Sequence, residues 1–350
     1  MSKRMVMILM IALLGVILSA CSQNAALVEK EVVVTSTEDI ATSTSVTIKL
    51  GAKCGPSPHV MPFFLMMAQT GGDLGDNVTV EYVPVTEPSQ MAALLKTQQV
   101  DAMVGFIVQT ANIFQKGGVD NLRLLNVPLW RGFYVIGGDD VDSWEDLRGE
   151  VIAMPNPQGG PSQIAKASMK QAGFDPKSDF KIQHMPASQI IQMLIAGKAK
   201  AGVVSEPFAT IAINKAKKEG ITLRVTPIDL YRIYTAETWD AGQLPIEGFL
   251  TLQDVLDDPA KAAALRELEV SYYQAIEEML ANPAKSSQLI AQQLTQYCDS
   301  KMQPPLIEKS LSSGLLLYRP TPVNEILPDL DAYIELMTGI EIDDKFYAQR

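Results

Sequence analysis

The chain has 350 residues, of which 47% are hydrophobic and 20% are charged, and it carries a net charge of −11. This length suits two domains or one large domain, and the composition is typical of globular proteins. The negative charge argues against a nucleic-acid partner, because phosphate binding needs clustered lysine and arginine residues. The three cysteines and two histidines form no metal-ligand spacing, so we expect neither a metal site nor a cofactor.

The N-terminus has the pattern of an export signal. Two basic residues precede an uncharged, mostly apolar run from Met5 to Ala20, which is short for a membrane span. The run ends in Leu18-Ser19-Ala20-Cys21, which resembles the lipoprotein signal motif. This resemblance implies a signal peptide over residues 1–20 and lipidation of Cys21; an uncleaved anchor and an ordinary cleaved signal are the alternatives. Residues 21–45 are polar and predict a flexible tether.

From residue 46 the predicted elements alternate between strands and helices. Short apolar or alternating runs bounded by Gly and Pro predict strands, and longer apolar-periodic runs predict helices. In chain order the first half contains strands at Val46–Leu50, Val78–Val83, Ala102–Gly105, Leu122–Leu129 and Phe133–Ile136, and helices at Met61–Gln69, Ser89–Gln98 and near Gln109–Gln115.

The second half repeats this layout. The predicted strands are Val151–Met154, Phe180–His184, Ala201–Val204 and Thr222–Val225, and the helices are Gln163–Ala172, Ser188–Ala196 and Ile211–Glu219. The tripeptide Gly55-Pro56-Ser57 follows the first strand of one half, and Gly160-Pro161-Ser162 follows the first strand of the other. We therefore predict two similar α/β lobes, each presenting a helix N-terminus whose first amides lack intrahelical partners.

The C-terminal part has a different pattern. Its composition is rich in Ala, Leu and Glu, alternation is absent, and Pro or Gly lies near most boundaries. The pattern predicts a helical tail that packs on one lobe, with helices at Asp254–Ala281, Pro283–Tyr297, Pro304–Leu317 and Val323–Thr338. The predicted lobe 1 comprises residues 46–138 and 228–350, and lobe 2 comprises residues 139–227, with one crossing near Gly137–Asp140.

The candidate ligand site follows from the strand order. In parallel α/β sheets, ligands bind at the carboxyl ends of the strands. That rule selects turns containing the following candidate ligand-binding residues: Cys54, Gly55, Pro56, Ser57, Gly105, Phe106, Thr110, Trp130, Arg131, Gln158, Gly159, Gly160, Ser162 and Glu206.

Individual roles leave alternatives open. Arg131 is expected either to pair with an anionic ligand or to lie on the surface. Phe106 and Trp130 are candidate apolar walls of the site, although the core is the favoured place for Trp130. Glu206 is a candidate acceptor for a cationic ligand, and a hinge-region ion pair is the favoured alternative. Cys54 and Cys298 are expected to be unpaired, although an exported protein can form a disulfide.

Several of these motifs, in this order, resemble one family. They are the motif ending at Cys21, Gly55-Pro56, Val100–Gly105, Ser143–Gly149, the turn Gly159–Ser162 and the corner Ser205–Phe208. The chain resembles the periplasmic or lipid-anchored substrate-binding proteins of ABC importers, in the subgroup for nitrate, sulfonates, taurine and thiamine-pyrimidine precursors. The resemblance implies a type II periplasmic-binding-protein fold, α/β with two lobes and mostly parallel sheets. It further implies two hinge crossings and closure on one small ligand.

The resulting functional expectation is a monomeric extracytoplasmic lipoprotein. It captures a small anionic or polar organic solute between its lobes and delivers it to a permease with ATPase subunits. No catalytic residues are expected. Two alternatives stay open: an enzyme on the same bilobal fold, as in menaquinone- and thiamine-pathway enzymes, and a lipoprotein that senses a ligand.

Overall fold

The computed structural model describes residues 45–86 and 88–348. The predicted signal peptide, the tether and the lipidation site Cys21 lie outside the described residues. The strands are β1 Val46–Lys53, β2 Asp73–Gly75, β3 Val78–Val85, β4 Ala102–Phe106, β5 Leu122–Arg131, β6 Phe133–Gly137, β7 Val151–Met154, β8 Lys181–His184, β9 Ala201–Ser205, β10 Arg224–Val225, β11 Glu247–Leu252 and β12 Leu317–Pro322.

Eleven helices are formed by the described residues, and most begin within two residues of a proline or follow a strand directly. They are α1 Met61–Thr70, α2 Pro88–Lys96, α3 Ile107–Lys116, α4 Gly160–Gln171, α5 Ala187–Ile195, α6 Phe208–Lys218, α7 Gln253–Asp257, α8 Pro259–Ala281, α9 Pro283–Cys298, α10 Pro304–Leu311 and α11 Leu327–Thr338. Short 3₁₀ turns include Leu230–Ile233. No helix of the described residues is long and apolar enough to cross a membrane.

The strands form two mixed sheets, one per lobe. The large sheet has seven strands in the order β12-β5-β11-β4-β1-β3-β2, and the small sheet has five in the order β10-β6-β9-β7-β8. This confirms the α/β fold with two lobes. The sheets are less parallel than expected, because antiparallel strands flank the parallel centre of each: β11 pairs antiparallel with β4, and β6 pairs antiparallel with β9.

The parallel centre has the same topology in both sheets. In the large sheet β1 pairs in parallel with both β3 and β4. In the small sheet β7 pairs in parallel with both β8 and β9. Each lobe thus contains a β-α-β-α-β unit in which the first strand is central, in agreement with the repeated layout predicted from the sequence.

Helix α1 is the most buried helix of the large lobe. Every residue from Met61 to Met67 is buried, as the apolar run over all faces predicts. The phenyl rings of Phe63 and Phe64 contact the ring of Tyr82 on β3, with centroids 5.2 and 5.5 Å apart. Gly71 ends the helix in the left-handed conformation, with φ of 66°.

The first crossing between the sheets lies earlier than expected. Strand β6 pairs with β9 in the small sheet, so the chain leaves the large sheet at Gly132, between Arg131 and Phe133, and not near Gly137–Asp140. One phenol holds this crossing: the Tyr231 hydroxyl accepts hydrogen bonds from the amides of Gly132 and Phe133, at 2.8 and 2.6 Å. The division into two ligand-binding lobes at residues 138/139 and 227/228 stays a prediction, whereas the chain passes from one sheet to the other at Gly132.

The C-terminal part contains a strand that the sequence pattern missed. Helix α10 ends at Leu311 and does not continue to Leu317, because Ser312, Ser313 and Gly314 follow, with Gly314 at a φ of 72°. Strand β12 then pairs antiparallel with β5 at the edge of the large sheet. An edge strand tolerates the two prolines of β12, which hide its strand character in the sequence.

The expectation of unpaired cysteines is wrong. Cys54, directly after β1, forms a disulfide with Cys298, the last residue of α9, with Cα atoms 5.4 Å apart. The bond fastens the C-terminal helices to the turn that follows the first strand. A sequence separation of 244 residues gives no indication of this proximity.

Candidate functional site

Two helix N-termini from different lobes meet at one contact. Phe106 is the N-cap residue of α3 in the large lobe, and Gly160 is the first residue of α4 in the small lobe. The Phe106 ring lies on the bare backbone of Gly160, since a Cβ atom there would be only 2.3 Å from the ring carbon Cε2. Within the described chain, no side chain caps either helix. The Ile107 amide donates to the Ile246 carbonyl at 3.0 Å, and Pro161 has no N–H. The donors that remain for an anion or a polar group in the crevice between the lobes are the amides of Val108 in α3 and of Gly160 and Ser162 in α4.

The large lobe positions Phe106 through tight packing around β4. A Cβ atom on Gly105 would lie 2.6 Å from the terminal methyl group of Met91 and 3.1 Å from the Thr110 methyl group, so a side chain here would displace the Met91 side chain of α2. Behind Phe106, the buried Thr110 hydroxyl donates to the Ile107 carbonyl at 2.9 Å and closes the first turn of α3. Of the predicted site residues, Gly105 and Thr110 therefore support the crevice from behind, and Phe106 borders it.

The small lobe holds its turn with side-chain hydrogen bonds. The buried Ser162 hydroxyl donates to the Pro155 carbonyl at 3.0 Å, and His184 Nδ1–H donates to the same oxygen at 2.6 Å. The amide of Gln158 donates to the side chain of Asn156 at 2.9 Å, and the Gln158 side chain is exposed. The Ser162 hydroxyl is thus committed to the turn, which leaves the backbone of Gly159–Ser162 as the surface offered to a ligand.

The turn that follows β1 differs from the prediction at its first residue, Cys54. The Cys54 sulfur is in the disulfide, so it is not a thiol that contacts a ligand. Gly55 has a φ of 127°, a conformation that side chains rarely adopt, and Gly55 and Pro56 are half-buried. The carbonyl of Ser57 accepts from the amides of Val60 and Met61, so these first donors of α1 are already used.

A buried polar cluster, which the sequence analysis did not predict, lies beside this turn. It consists of Ser57, His59 and Glu247, which are 7%, 8% and 3% exposed. His59 Nδ1 lies 2.8 Å from Ser57 Oγ and 3.2 Å from Glu247 Oε1. Glu247 is the first residue of β11 and pairs across the sheet with Phe106, which places the cluster next to the crevice. The available signal was an acidic residue in the otherwise apolar run Leu244–Leu250.

The cluster lacks the geometry of a catalytic triad. In a triad the nucleophile and the acid contact opposite ring nitrogens of the histidine. Here Ser57 Oγ and Glu247 Oε1 both contact Nδ1 of His59. The imidazole therefore cannot take a proton from the serine at one nitrogen while the carboxylate holds the other.

Two buried phenols donate hydrogen bonds to the backbone beside this cluster. The Tyr272 hydroxyl donates to the His59 carbonyl at 3.0 Å, and the Tyr318 hydroxyl donates to the Pro58 carbonyl at 2.6 Å. Burial raises the pKa of both phenols well above the usual value, and the nearby Glu247 carboxylate raises the pKa of each further. Both phenols thus stay neutral donors committed to the backbone of the first turn.

Glu206 lies fully buried at the carboxyl end of β9. Its carboxyl oxygens accept hydrogen bonds from Thr210 Oγ1 at 2.9 Å and Ser310 Oγ at 2.6 Å. Burial raises the pKa of this carboxyl, and the two hydroxyl donors lower it by less. No ion pair to Glu206 occurs among the described residues, so the favoured hinge-region ion pair is wrong. Glu206 instead joins the small sheet to α10 through neutral hydroxyl groups.

Trp130 and Arg131 both contact other residues of the protein. Trp130 is fully buried, donates from Nε1 to the Arg319 carbonyl at 2.8 Å and packs on Trp239, with ring centroids 5.5 Å apart. These contacts match the core alternative for Trp130. Arg131 lies over the ring of Tyr231 and its Nη2 is 3.6 Å from Asp229 Oδ1. The Arg131 guanidinium therefore already has an aromatic partner and an acidic partner within the protein.

One cavity of about 380 Å³ lies elsewhere on the small lobe. Its acidic residues already pair with arginines: Asp142 with Arg224, Glu145 with Arg148, and Asp229 with Arg131. The crevice between the N-termini of α3 and α4 is therefore the better candidate site.

Two lobes of matching topology, joined by crossing strands and meeting at helix N-termini, define a solute-binding protein of the periplasmic-binding-protein fold. The sequence model of one family, described as ABC transporter, phosphonate, periplasmic substrate-binding protein, matches residues 61–268. The chain belongs to this family and is the extracytoplasmic substrate-binding component of an ABC importer. No curated protein matches the chain.

Solved structures share the fold at low sequence identity. An ABC transporter protein from Parabacteroides distasonis is 19% identical, with a TM-score of 0.64 over 87% of this chain and 99% of that chain. The periplasmic aliphatic sulphonate binding protein SsuA from Escherichia coli is 13% identical, with a TM-score of 0.66 over 87% of this chain and 92% of its own. The alkanesulfonate-binding protein SsuA from Xanthomonas axonopodis pv. citri, bound to MOPS, is 14% identical, with a TM-score of 0.54 over 84% and 95%.

Proposed function

We propose that the protein captures a small organic oxyanion, of the phosphonate or sulfonate type, in the crevice between its lobes. The observation that carries this proposal is the contact of the α3 and α4 N-termini at Phe106 and Gly160. Each N-terminus presents the positive end of a helix dipole, and the amides of Val108 in α3 and of Gly160 and Ser162 in α4 add hydrogen-bond donors that favour a negatively charged group. The family description names phosphonate, and two of the structural neighbours named above bind sulfonates.

The residues around this contact have distinct roles in the proposal. Amides of α3 and of Gly160 and Ser162 bind the oxyanion, while the Phe106 ring covers the organic part of the solute. Gly55, Pro56 and Ser57 border the crevice from the large lobe. Arg131 contributes long-range attraction, reduced by Asp229. Binding closes the lobes because the solute contacts both of them.

The proposal extends to the N-terminus and the assembly. Lipidation of Cys21 tethers a monomer to the membrane, where it delivers the solute to its permease. Metabolic labelling with a palmitate analogue tests the tether: labelling is expected in the wild type and not in Cys21→Ser. Equal labelling of both proteins would contradict it. We also propose that the solute leaves chemically unchanged, which mass spectrometry of the recovered ligand tests.

Isothermal titration calorimetry tests the ligand class directly. The full-length chain is titrated with ethylphosphonate and with ethanesulfonate, which have the same organic part and different oxyanions. Saturable binding of at least one, weakened by Phe106→Ala and unaffected by Phe114→Ala, supports the proposal. Phe114 is a matched control because it is a buried phenylalanine of α3 that packs on Phe346, away from α4. Absence of heat with both ligands, for a folded protein, would reject the proposal.

A further inference from the structure

We propose that the bound solute donates a hydrogen bond to Glu247 Oε2. This inference rests on the proposed function, because it concerns a second contact in the same crevice. It defines the class of solute more narrowly: one that carries an acidic proton or an ammonium group in addition to its oxyanion.

The proposal begins with an oxygen that has no partner. Glu247 is 3% exposed, and its Oε1 lies 3.2 Å from His59 Nδ1. Among the described residues, no donor reaches Oε2, which is itself inaccessible to solvent. A buried acceptor without a hydrogen bond destabilises a protein, and a buried charged acceptor does so more. The site therefore lacks one donor.

The protein groups nearest to this carboxylate cannot supply that donor. The hydroxyls of Tyr272 and Tyr318 donate to the carbonyls of His59 and Pro58. Ser57 Oγ lies against the imidazole of His59. None of these hydroxyls lies within hydrogen-bond distance of Oε2, so the missing donor is inferred to come from outside the chain.

The position of Glu247 explains why the ligand would supply the missing hydrogen-bond donor. Glu247 lies opposite Phe106 in the pairing of β11 with β4, and the Phe106 ring reaches Gly160 of the other lobe. The carboxylate is thus at the crevice end of its strand, beside the amides proposed to bind the oxyanion. A solute held by those amides would place its remaining groups within reach of the cluster.

The chemistry discriminates between solutes of the same shape. A sulfonate has no proton and would bring a second negative charge towards the carboxylate. A phosphonate monoanion keeps a P–OH group, which can donate to a carboxylate oxygen while the other oxygens accept from amides. An ammonium group on the organic part would serve equally well. The shared requirement is a donor, and the experiment distinguishes its two sources.

Calorimetry with four ligands tests the inference: ethanesulfonate, ethylphosphonate, taurine and 2-aminoethylphosphonate. Affinities are measured for the wild type, for Glu247→Gln, and for Glu267→Gln, a control that removes an exposed acid of α8. In the wild type we expect donor-bearing ligands to bind at least about tenfold more tightly than ethanesulfonate, since a hydrogen bond to a charged group contributes this much. Glu247→Gln should reduce that ratio to about one.

The ligand pairs identify the donor. A preference for ethylphosphonate over ethanesulfonate that weakens as the pH rises assigns the donor to P–OH. A preference for taurine over ethanesulfonate assigns it to the ammonium group. Equal wild-type affinity for all four ligands would overturn the inference, as would an equal loss for every ligand in Glu247→Gln. If the wild type binds none of the four, the proposed function itself fails, which is a different result.

Discussion

The phenyl ring of Phe106 in the large lobe rests on Gly160 in the small lobe. Its ring carbons occupy the space that a methyl group at residue 160 would need. The contact joins the carboxyl end of a strand in the large sheet to the N-terminus of a helix in the small lobe. This contact between the lobes therefore depends on the absence of a side chain at residue 160.

Gly160→Ala should weaken ligand binding with little effect on the stability of either lobe. An added methyl group in a tight contact costs about 1–3 kcal/mol, and if this falls on the closed form, affinity drops about tenfold or more. Calorimetry with the better ligand of the wild type measures the loss. Phe106→Leu in the Gly160→Ala background should recover part of the affinity, because it removes the obstructing ring carbons. Additive losses in the double variant would contradict the direct contact.

Tyr231→Phe should lower the free energy of unfolding by about 1–3 kcal/mol, because it leaves two buried amides at the strand crossing without an acceptor. Urea unfolding measures the change. Tyr333→Phe is the matched control: Tyr333 is also fully buried, but its hydroxyl has no hydrogen-bond partner among the described residues. That variant should be neutral or slightly more stable. Equal losses in both variants would refute the role assigned to the Tyr231 hydroxyl.

Replacing both Cys54 and Cys298 by serine should cost about 2–4 kcal/mol of unfolding free energy, since the disulfide constrains the unfolded chain. A reducing agent should destabilise the wild type by a similar amount and leave the double variant unchanged. Urea unfolding with and without reductant makes this comparison. A wild type whose stability is insensitive to a reductant that has opened the bond would contradict the expectation.

Glu206→Gln should change how stability depends on pH. Burial raises the pKa of the Glu206 carboxyl in the folded protein above its usual value of 4.5, so the folded state retains the proton more strongly than the unfolded state. The wild type should therefore lose stability relative to the variant as the pH rises from the unfolded pKa through the folded pKa, and the difference should be constant above it. Urea unfolding at a series of pH values tests this sign. Parallel curves for the two proteins would mean that the carboxyl is not perturbed.

The repeated units were predictable because their signals are local. Val151–Met154, the turn after it and the start of α4 lie within a short stretch, and Gly and Pro mark its boundaries. The same holds for the apolar helix α1, where seven consecutive residues from Met61 are buried. Local period and turn chemistry decide such elements, and tertiary contacts then place them without changing their type.

The parts that sequence reasoning missed depend on distant partners. Glu247 and His59 are far apart in the chain, and only the pairing of β11 with β4 brings Glu247 beside the first turn. Strand β12 contains prolines and alternation is lacking, so it is recognisable only by its pairing with β5.

The Cys54–Cys298 bond has a topological consequence for the protein outside the cytoplasm. It closes most of the described chain into a covalent ring that contains the crossing at Gly132 and the entire small sheet. A protease that cuts one surface loop inside the ring leaves both fragments attached to each other. The cleaved molecule would migrate as one species on a non-reducing gel and would keep its solute crevice. Proteolysis outside the cytoplasm therefore need not separate the two fragments.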